Sequence, residues 1–199
     1  MTIKAKGDVQ AQGRRYDPHR RERIIQAAQV IIAKEGVMGA THRKIAKEAD
    51  IPLGSMTYHF NSIEDVFVAT FSCFAEEASS QFESILQAAQ TREEAVNAVV
   101  EIICGNFWAE RQGRALTLSY ELYAYSTRSD AMKCIMRHWM GRVQTALNQH
   151  FDVRVSKMLD AMIEGLSIHR SVQDNPLTRA EIHHLIKTLT FNFQSNDLD

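Results

Sequence analysis

The sequence predicts an all-α fold, and three observations support that prediction. Apolar residues recur at helical spacing along most of the chain, capping residues precede these stretches, and no segment has the strict alternation of a strand. There is also no internal repeat and no Gly/Ser-rich linker. With 199 residues, the chain is long enough for one or two compact domains with a substantial core.

The first helix is predicted over residues 18–35, after a polar, basic arm at residues 1–16. Asp17 and Pro18 suit its N-cap and first position, and Gly36 is a suitable stop. Its apolar residues form one stripe, which predicts packing against other helices. They are Ile24, Ile25, Ala28, Ile31 and Ile32.

Residues 41–60 are predicted to form two short helices around a tight turn, which is the pattern of a helix-turn-helix. Thr41 is a good N-cap for the first helix, and Pro52 suits the opening of the second. The residues predicted to point inward are Ile51, Met56 and Phe60. Gly54 is a poor helix residue by roughly 1 kcal/mol relative to Ala, so we expect it to allow close approach to a DNA groove.

Basic residues are concentrated in the N-terminal third. Residues 1–60 carry 11 Lys+Arg and 6 Asp+Glu, a net charge of +5, whereas the rest of the chain carries 12 and 18, a net charge of −6. Two opening helical turns hold the cations Arg20, Arg21, Arg23, His42, Arg43 and Lys44. Because the helix macrodipole disfavours cations there, we interpret both clusters as phosphate-binding, the alternative being a solvated basic face.

Further helices are predicted in the body of the protein. Ser62 caps a long helix that extends to about residue 88, and the segments beginning at Thr91 and Thr178 each open with a capping box. The apolar side of the long helix has Phe67, Phe71, Phe74, Ala78 and Ile85. Between the two capping boxes, the spacing predicts helices over residues 115–125, 130–151 and 153–172.

Composition excludes several other classes of protein. No apolar run approaches the roughly 20 residues of a membrane span, and no signal-peptide core follows the N-terminus, so we expect a cytoplasmic protein without a membrane partner. The three cysteines have no paired spacing, which argues against a disulfide framework and a zinc site. We expect no cofactor, and we find no nucleophile–base pair or phosphate loop that would indicate an enzyme.

Residues 18–71 resemble the DNA-binding domain of the TetR family of bacterial transcription regulators. The resemblance lies in four segments in order, RRERIIQAAQVIIAKEG, THRKIA, IPLGSMTYHF and NSIEDVF. It implies a helix-turn-helix domain at residues 17–62 and a helical effector-binding and dimerisation domain at residues 63–199. The resemblance fades after about residue 75.

The resemblance also implies particular DNA contacts. Candidates for base edges or the groove floor are Arg43, Leu53, Gly54, Ser55 and Thr57. Candidates for phosphate contacts are Thr41, Tyr58 and His59, and the predicted surface also includes His42, Lys44 and Pro52. One departure is Ile63, where the family often has a phosphate-binding Lys. Arg14 or Arg15 of the arm would compensate by entering the minor groove.

Aromatic and methionine stripes in the body could line a common cavity. The candidate pocket residues are Phe71, Phe74, Ile103, Asn106, Phe107, Tyr120, Tyr123, Met136, His138 and Trp139. The polar groups of Asn106, Glu121 and His138 would orient a ligand there. The alternative is a filled core, which such stripes usually form, whereas the resemblance implies a mainly apolar effector pocket.

The helix predicted over residues 153–172 is apolar on more than one side, which indicates burial from two directions, and the last predicted helix carries a comparable apolar stripe. The residues predicted to meet a second subunit are Met158, Met162, Gly165, Leu166, His169, Ile182, Leu185, Ile186, Leu189 and Phe193. Two such helices from each chain would form a four-helix homodimer interface, and the resemblance implies the same arrangement.

These predictions together indicate a sequence-specific DNA-binding regulator. A two-fold dimer would bind double-stranded DNA at a palindromic operator, with half-sites about one helical turn apart or somewhat more. We expect a repressor that a small, largely apolar effector releases through the long helix after Ser62. The alternatives are a body that responds to a protein partner or to no ligand, and an architectural DNA binder without sequence preference.

Overall fold

The structure, a computed structural model, describes residues 18–108 and 114–192, and helices are the regular elements in these ranges. They are α1 (Arg20–Gly39), α2 (His42–Glu48), a 3-10 turn (Leu53–Ser55), α3 (Met56–His59), α4 (Ile63–Gln87), α5 (Arg92–Cys104), α6 (Arg114–Ser126), α7 (Asp130–Leu147), α8 (Val153–Val172) and α9 (Arg179–Asn192). The predicted all-α class is confirmed. The arm with Arg14 and Arg15, the N-cap candidate Asp17, and Phe193 lie outside the described residues.

The predicted stop in α1 corresponds to a kink. Gly36 has a φ of 73°, a left-handed conformation that favours glycine, and one further turn follows it before the helix ends. The helix begins at Arg20 rather than at residue 18, and its N-cap residue His19 makes no side-chain capping hydrogen bond. The predicted apolar stripe is buried, as the packing of α1 against the following helices requires.

Local capping signals placed most helix starts correctly. Ser62 and Asp65 form a reciprocal capping box at the start of α4, and Thr178 and Glu181 form another before α9. Thr91 accepts from the backbone of Glu94, but the Glu94 carboxylate accepts from the residue before Thr91. The predicted capping box at Thr91 is therefore only half formed, because Glu94 accepts from the Gln90 amide and not from the Thr91 amide.

The end of α7 differs from the prediction. The helix ends at Leu147, four residues before the predicted end at residue 151. Beyond it, the His150 ring makes a 3.0 Å hydrogen bond to the Leu86 carbonyl near the end of α4, and Phe151 is buried. This docking of the chain against α4 ends α7 earlier than its hydrophobic pattern indicates.

One continuous apolar core extends from α1 to α9. Its buried residues run from Ile24 in the N-terminal region to Ile186 in the last helix, and α4 lies between the two ends. Arg142 of α7 binds Glu83 of α4 through two hydrogen bonds of 2.7 and 2.6 Å and contacts Glu76 at 2.6 Å. Since the core has no break near residue 62, the predicted domain boundary stays a prediction. Among the described residues, no helix has the length and apolar character needed to cross a bilayer.

Candidate DNA-binding surface and effector region

A tight turn sets the angle between α2 and the segment that follows it. Asp50 has a φ of 51°, in the left-handed region that Asp tolerates better than most residues, and the Ile51 amide donates to the Ala46 carbonyl at 3.0 Å. The Arg23 guanidinium donates to the carbonyls of Ala49 and Asp50, the second at 3.2 Å. Arg23 therefore holds this turn against α1, which corrects its interpretation as a phosphate-binding cation.

The second helix of the motif is shorter than predicted. Pro52 has extended backbone and precedes a 3-10 turn, Leu53–Ser55, and α3 then adds one turn, Met56–His59. The Ser55 amide donates to the Pro52 carbonyl at 2.8 Å, which closes the first turn. Pro52 thus lies before the helical segment instead of opening it.

The outer side of this segment faces solvent. Tyr58 is 83% exposed and Leu53 is 48% exposed, whereas Met56 is fully buried beneath them. Pro52, Gly54 and Thr57 are also exposed, and Ser55 and His59 are half-buried. A Cβ added to Gly54 would meet no atom within 4 Å, so no packing within the described chain requires a glycine there.

The opening turn of α2 contains both a free and a paired cation. Thr41 caps the helix, because its hydroxyl oxygen accepts from the Lys44 amide at 3.3 Å. The Lys44 ammonium contacts the Glu35 carboxylate and donates to the Gly39 carbonyl at 3.0 Å. The hydrogen bond that the Lys44 ammonium donates to the Glu35 carboxylate lowers the pKa of Glu35. Lys44 therefore connects α2 to the end of α1.

Arg43 and His42 differ in their access to solvent. Arg43 is exposed and has no hydrogen bond or ion pair to any residue that the structure describes. His42 is half-buried, and its Nε2 atom is enclosed without a hydrogen bond to the described residues. Of the predicted cluster in this turn, Arg43 is the cation that is exposed and makes no hydrogen bond or ion pair with the described residues.

Most of the predicted pocket residues pack against other core residues. The rings of Phe74 and Tyr123 lie 5.5 and 6.5 Å from that of Trp139, and Phe107 lies 6.2 Å from Phe82, measured between centroids. The predicted pocket residues that are buried are Phe71, Phe74, Ile103, Phe107, Met136 and Trp139, and Tyr120 and Tyr123 are half-buried. The filled-core alternative describes this cluster better than an open pocket does.

Three polar residues that were predicted to face a ligand lie elsewhere. Asn106 and His138 are exposed, and His138 has a carboxylate oxygen of Glu76 at 3.9 Å. Glu121 accepts a hydrogen bond of 3.0 Å from the Val37 amide of α1. His138 adjoins the buried Trp139, and one residue turns a helix by about 100°, so both side chains cannot face the same cavity.

A cavity of about 200 Å³ lies beside the aromatic cluster. Its lining residues are Phe74, Glu77, Ala78, Gln81, Phe107, Trp108 and Ala115. Two of these residues, Phe74 and Phe107, were predicted to line a pocket. The indole nitrogen of Trp108 is enclosed without a hydrogen bond to the described residues. Ligand pockets commonly measure about 300–1,000 Å³, so this cavity is small for an effector.

The inner side of α8 carries a polar stripe that apolar periodicity alone does not reveal. Ser156, Asp160, Glu164 and Ser167 recur at i, i+4, i+8 and i+11, a spacing that is visible in the sequence. Gln144 of α7 donates to Asp160 at 2.8 Å. One oxygen each of Ser156, Glu164 and Ser167 is enclosed without a hydrogen bond to the described residues. The apolar residues of α8 suggested a dimer interface and obscured this second pattern.

The predicted interface residues divide into two groups. Ile182 and Ile186 are fully buried within the chain, where α9 packs on α5, so they do not face outward as predicted. The others that the structure describes are half-buried or exposed: Met158, Met162, Gly165, Leu166, His169, Leu185 and Leu189. A Cβ on Gly165 would meet no atom within 4 Å, which leaves room for a close neighbour.

An exposed helix-turn-helix on a larger helical body defines a DNA-binding regulator, and comparisons with known proteins agree. The family model of bacterial regulatory proteins of the tetR family matches residues 24–70. The crystal structure of a transcriptional regulator from Streptomyces coelicolor A3(2) is 39% identical, with a TM-score of 0.79 over 87% of this chain and 99% of that chain. The chain belongs to the TetR family of transcriptional regulators.

Two further relatives extend over most of the chain. The HTH-type transcriptional regulator BetI of Rhizobium meliloti is 23% identical over 171 residues, which cover 81% of this chain and 83% of BetI. The multidrug binding protein EbrR, in its complex with imidazole, is 28% identical, with a TM-score of 0.69 over 91% of this chain and 100% of that chain. EbrR structures with ethidium, malachite green and proflavin are also similar to this chain.

Proposed function

We propose that this DNA-binding transcriptional regulator is a dimeric repressor, which a small-molecule effector releases from a palindromic operator. The observation that carries the DNA-binding part is the exposure of residues 53–59 beside the unpaired Arg43. A short, solvent-exposed helical segment with adjacent cations is suited to the major groove. The net charge of +5 over residues 1–60 favours the approach of this end to a polyanion.

Side chains on this surface have separate roles in the proposal. Arg43 reads a guanine through two hydrogen bonds, and the backbone at Gly54 approaches the groove floor with Leu53, Ser55 and Thr57 around it. Thr41, Tyr58 and His59 contact phosphates, which positions the protein without reading sequence. Pro52, His42 and Lys44 form the edge of the surface, where Lys44 contributes mainly to the fold because Glu35 already pairs with it.

Exposed apolar residues on α8 and α9 support dimerisation. Val172 is 75% exposed, Phe191 is 43% exposed and Leu185 is 40% exposed, and the half-buried Met162 and Leu166 lie on α8. An apolar area of this kind on a soluble chain favours association. A two-fold pairing through both helices places two DNA-binding segments on one operator, which explains the expected palindrome.

Contacts from α6 support a route from the body to the DNA-binding end. Glu121 binds the Val37 amide in the last turn of α1, and the Tyr125 hydroxyl binds Glu64 in the first turn of α4. A shift of α6 would therefore reach both helices that orient the motif. The EbrR complexes support a small-molecule effector for this chain too, since its body has the same fold. An effector that binds better to the released state would shift the equilibrium by its difference in affinity.

The second candidate is a regulator whose body responds to a protein partner in place of a small molecule. The filled aromatic cluster and the cavity of only about 200 Å³ favour it. A pulldown with the full-length protein, followed by operator release in the presence of the captured partner alone, would distinguish it from the effector-responsive repressor.

Selection of binding sites from random DNA by the purified protein tests the proposed function. We expect a palindromic consensus with half-sites about one helical turn apart or somewhat more. Competition by random DNA at physiological salt should leave this binding intact, since specific sites bind about 10³–10⁷ times more tightly than random DNA. Enrichment of no sequence would contradict a specific regulator and favour the architectural alternative.

A further inference from the structure

We propose that the polar stripe on the inner side of α8 binds the charged group of an organic cation, with α6 and α7 forming the other walls. This inference rests on the proposed function and specifies the chemical class of its effector. The stripe consists of Ser156, Asp160, Glu164 and Ser167.

The four side chains form a continuous line within the chain. At 100° per residue they fall within about 80° of one another around α8, and at 1.5 Å per residue they extend over about 16 Å along it. Ser156, Asp160 and Ser167 are at most 6% exposed. The stripe is therefore an internal polar surface and not a solvated face.

Enclosed oxygens along this line have no partner among the described residues. They are Ser156 Oγ, Glu164 Oε2 and Ser167 Oγ, of which the two serine residues are 0% and 3% exposed. Buried polar groups nearly always have hydrogen-bond partners, so three in one row indicate a site that a ligand or its hydration completes. The fourth residue, Asp160, is already bonded to Gln144.

The sign of the charge on the ligand follows from the neighbours of Glu164. Asp160 lies one turn away from Glu164 on the same helix, and Gln144 of α7 donates a hydrogen bond to Asp160. Tyr120 and Tyr123 lie near Glu164 on the side of α6. None of these groups is a cation. Among the described residues, Asp160 is the charged group that acts on Glu164, so the pair of carboxyl groups favours a cation and disfavours an anion.

The surroundings favour an organic cation over a metal ion. Tyr123 lies against Trp139, whose ring contacts Phe74, so the polar stripe adjoins an aromatic wall. Aromatic faces attract weakly hydrated organic cations. The residues that the structure describes contain no group of three or more His, Cys, Asp or Glu side chains arranged for a metal.

Burial, together with the nearby Asp160 carboxylate, raises the pKa of Glu164 to about 8. Near pH 7 the Glu164 carboxyl is therefore mostly protonated when no cation is bound. A bound cation favours the ionised form, so binding should release up to one proton from Glu164. Affinity for a cation should rise with pH until about pH 8.

Tetraphenylphosphonium and tetraphenylborate test the inference, because they share shape and size and differ in the sign of their charge. We expect the full-length protein to bind tetraphenylphosphonium at least about tenfold more tightly than tetraphenylborate, as measured by calorimetry at pH 7 and pH 8. Phenyltrimethylammonium serves as a smaller cationic probe. Calorimetry in buffers of different ionisation enthalpy should show proton release on binding at pH 7.

Glu164→Gln should weaken tetraphenylphosphonium binding by about 10- to 100-fold and abolish the proton release. The amide resembles the neutral carboxyl that Glu164 holds without a bound cation, so the variant should fold, which its circular dichroism and thermal unfolding check. Glu101→Gln removes an exposed carboxylate from α5 and is the matched control.

Several outcomes would overturn the inference: equal affinity for the two tetraphenyl ions, unchanged cation binding by Glu164→Gln, or no binding of either cation. Operator binding by the same samples is measured in parallel. If the natural chain binds its operator and fails only the cation tests, the effector class is wrong and the regulator assignment stands. If it binds no specific DNA, the proposed function itself fails.

Discussion

At the scale of single residues, two adjacent cations in the first turn of α2 make different contacts. Lys44 contacts Glu35 and the Gly39 carbonyl, whereas Arg43 beside it is exposed and unpaired within the described chain. Both residues are equivalent in the sequence pattern, which shows only a basic cluster. The partner Glu35 lies in the preceding helix, so the distinction requires the angle between α1 and α2, which local sequence does not reveal.

Arg43→Ala should reduce discrimination between operator and random DNA by about 1–3 kcal/mol, because a bidentate guanine contact is lost. Fluorescence anisotropy with both DNAs at one salt concentration measures this difference. Arg137→Ala, which removes an exposed arginine from α7, is the control and should leave discrimination unchanged. Equal losses on operator and random DNA would refute the base-reading role of Arg43.

Gly54→Ala separates DNA contact from folding. A methyl group at Gly54 meets nothing within 4 Å, so thermal unfolding should be unchanged or occur at a slightly higher temperature. On the operator, the methyl group would obstruct close approach to the groove, and we expect at least about a tenfold loss of affinity, or ~1.4 kcal/mol. Gly141→Ala is the matched control, since Gly141 on α7 also has open space around it. Full operator affinity in Gly54→Ala would show that the backbone there does not approach DNA.

For the helices of the body, the sequence predicted which apolar side chains are buried better than it predicted where the polar side chains point. The apolar members of the predicted pocket are indeed interior, because apolar periodicity reports burial directly. Asn106 and His138 are predicted to orient a ligand in the same interior, and both are exposed. The reverse error concerns Glu164, a charged residue whose regular spacing from Ser156 and Asp160 was the available signal for an internal polar site.

At the scale of elements, α6 joins the two functional ends. One side of the helix carries Tyr120 and Tyr123 toward the polar stripe of α8, and the other side binds α1 through Glu121 and α4 through Tyr125. Burial and the hydrogen bond to Glu64 raise the pKa of Tyr125 to about 12, so this contact keeps its proton at physiological pH. The sequence predicted α6 as a helix, but its partners in α1 and α4 are more than sixty residues away in the chain.

Glu121→Ala should loosen the connection between α6 and α1. The Val37 amide would lose its 3.0 Å hydrogen bond, so the free energy of unfolding should fall by about 1 kcal/mol. Hydrogen exchange should become faster at residues 36–40 in particular, and operator affinity should decrease. Glu101→Ala removes an exposed ion pair with Arg179 and should change none of these three quantities appreciably. Unaltered exchange around Val37 in Glu121→Ala would rule out this joint as a structural connection.

The short elements were the hardest to predict. The segment after Pro52 reads as one helix, yet it divides into a 3-10 turn and the single turn of α3. A helix of this length is not stable alone, so the burial of Met56 and Phe60 against the core decides its form. Capping boxes with near-neighbour partners, as at Ser62 and Thr178, were correctly located because their geometry is local.

At the scale of the whole molecule, the half-buried Glu164, whose Oε2 atom is enclosed, links stability to pH. Its pKa is about 8 in the folded chain, above the ordinary value of 4.5 expected after unfolding. Between these values the folded state holds more protons, so the free energy of unfolding should decrease as pH rises from about 5 to about 8. The size of this contribution is on the order of a few kcal/mol.

Chemical unfolding of the natural chain and of Glu164→Gln across this pH range isolates that effect. As the pH rises, the natural chain should lose stability relative to Glu164→Gln, because the amide of the variant does not ionise. Glu101→Gln, which alters an exposed carboxylate, should follow the natural chain. A constant difference between the natural chain and Glu164→Gln from pH 5 to pH 8 would mean that the carboxyl ionises freely.

The all-α class was predictable for the part of the chain that the structure describes, and the basic end coincides with the DNA-binding motif. Basic residues lie in the N-terminal third and acidic residues dominate the remainder, and the motif occupies the basic end. The continuous core was not predictable, because it depends on how α1, α4 and α6 meet. For the same reason, the sequence overestimated the outward apolar surface of α9, where Ile182 and Ile186 are buried within the chain.

Photocrosslinking from two positions tests the central claim most directly, that residues 53–59 contact the duplex while α8 and α9 join two subunits. A photoreactive benzoylphenylalanine replaces Tyr58 in one sample and His169 in another, and both are irradiated on the selected operator. We predict a protein–DNA adduct from position 58 and a covalent protein dimer from position 169. Operator-bound protein that gives no DNA adduct from position 58, or a DNA adduct from position 169, would contradict the account.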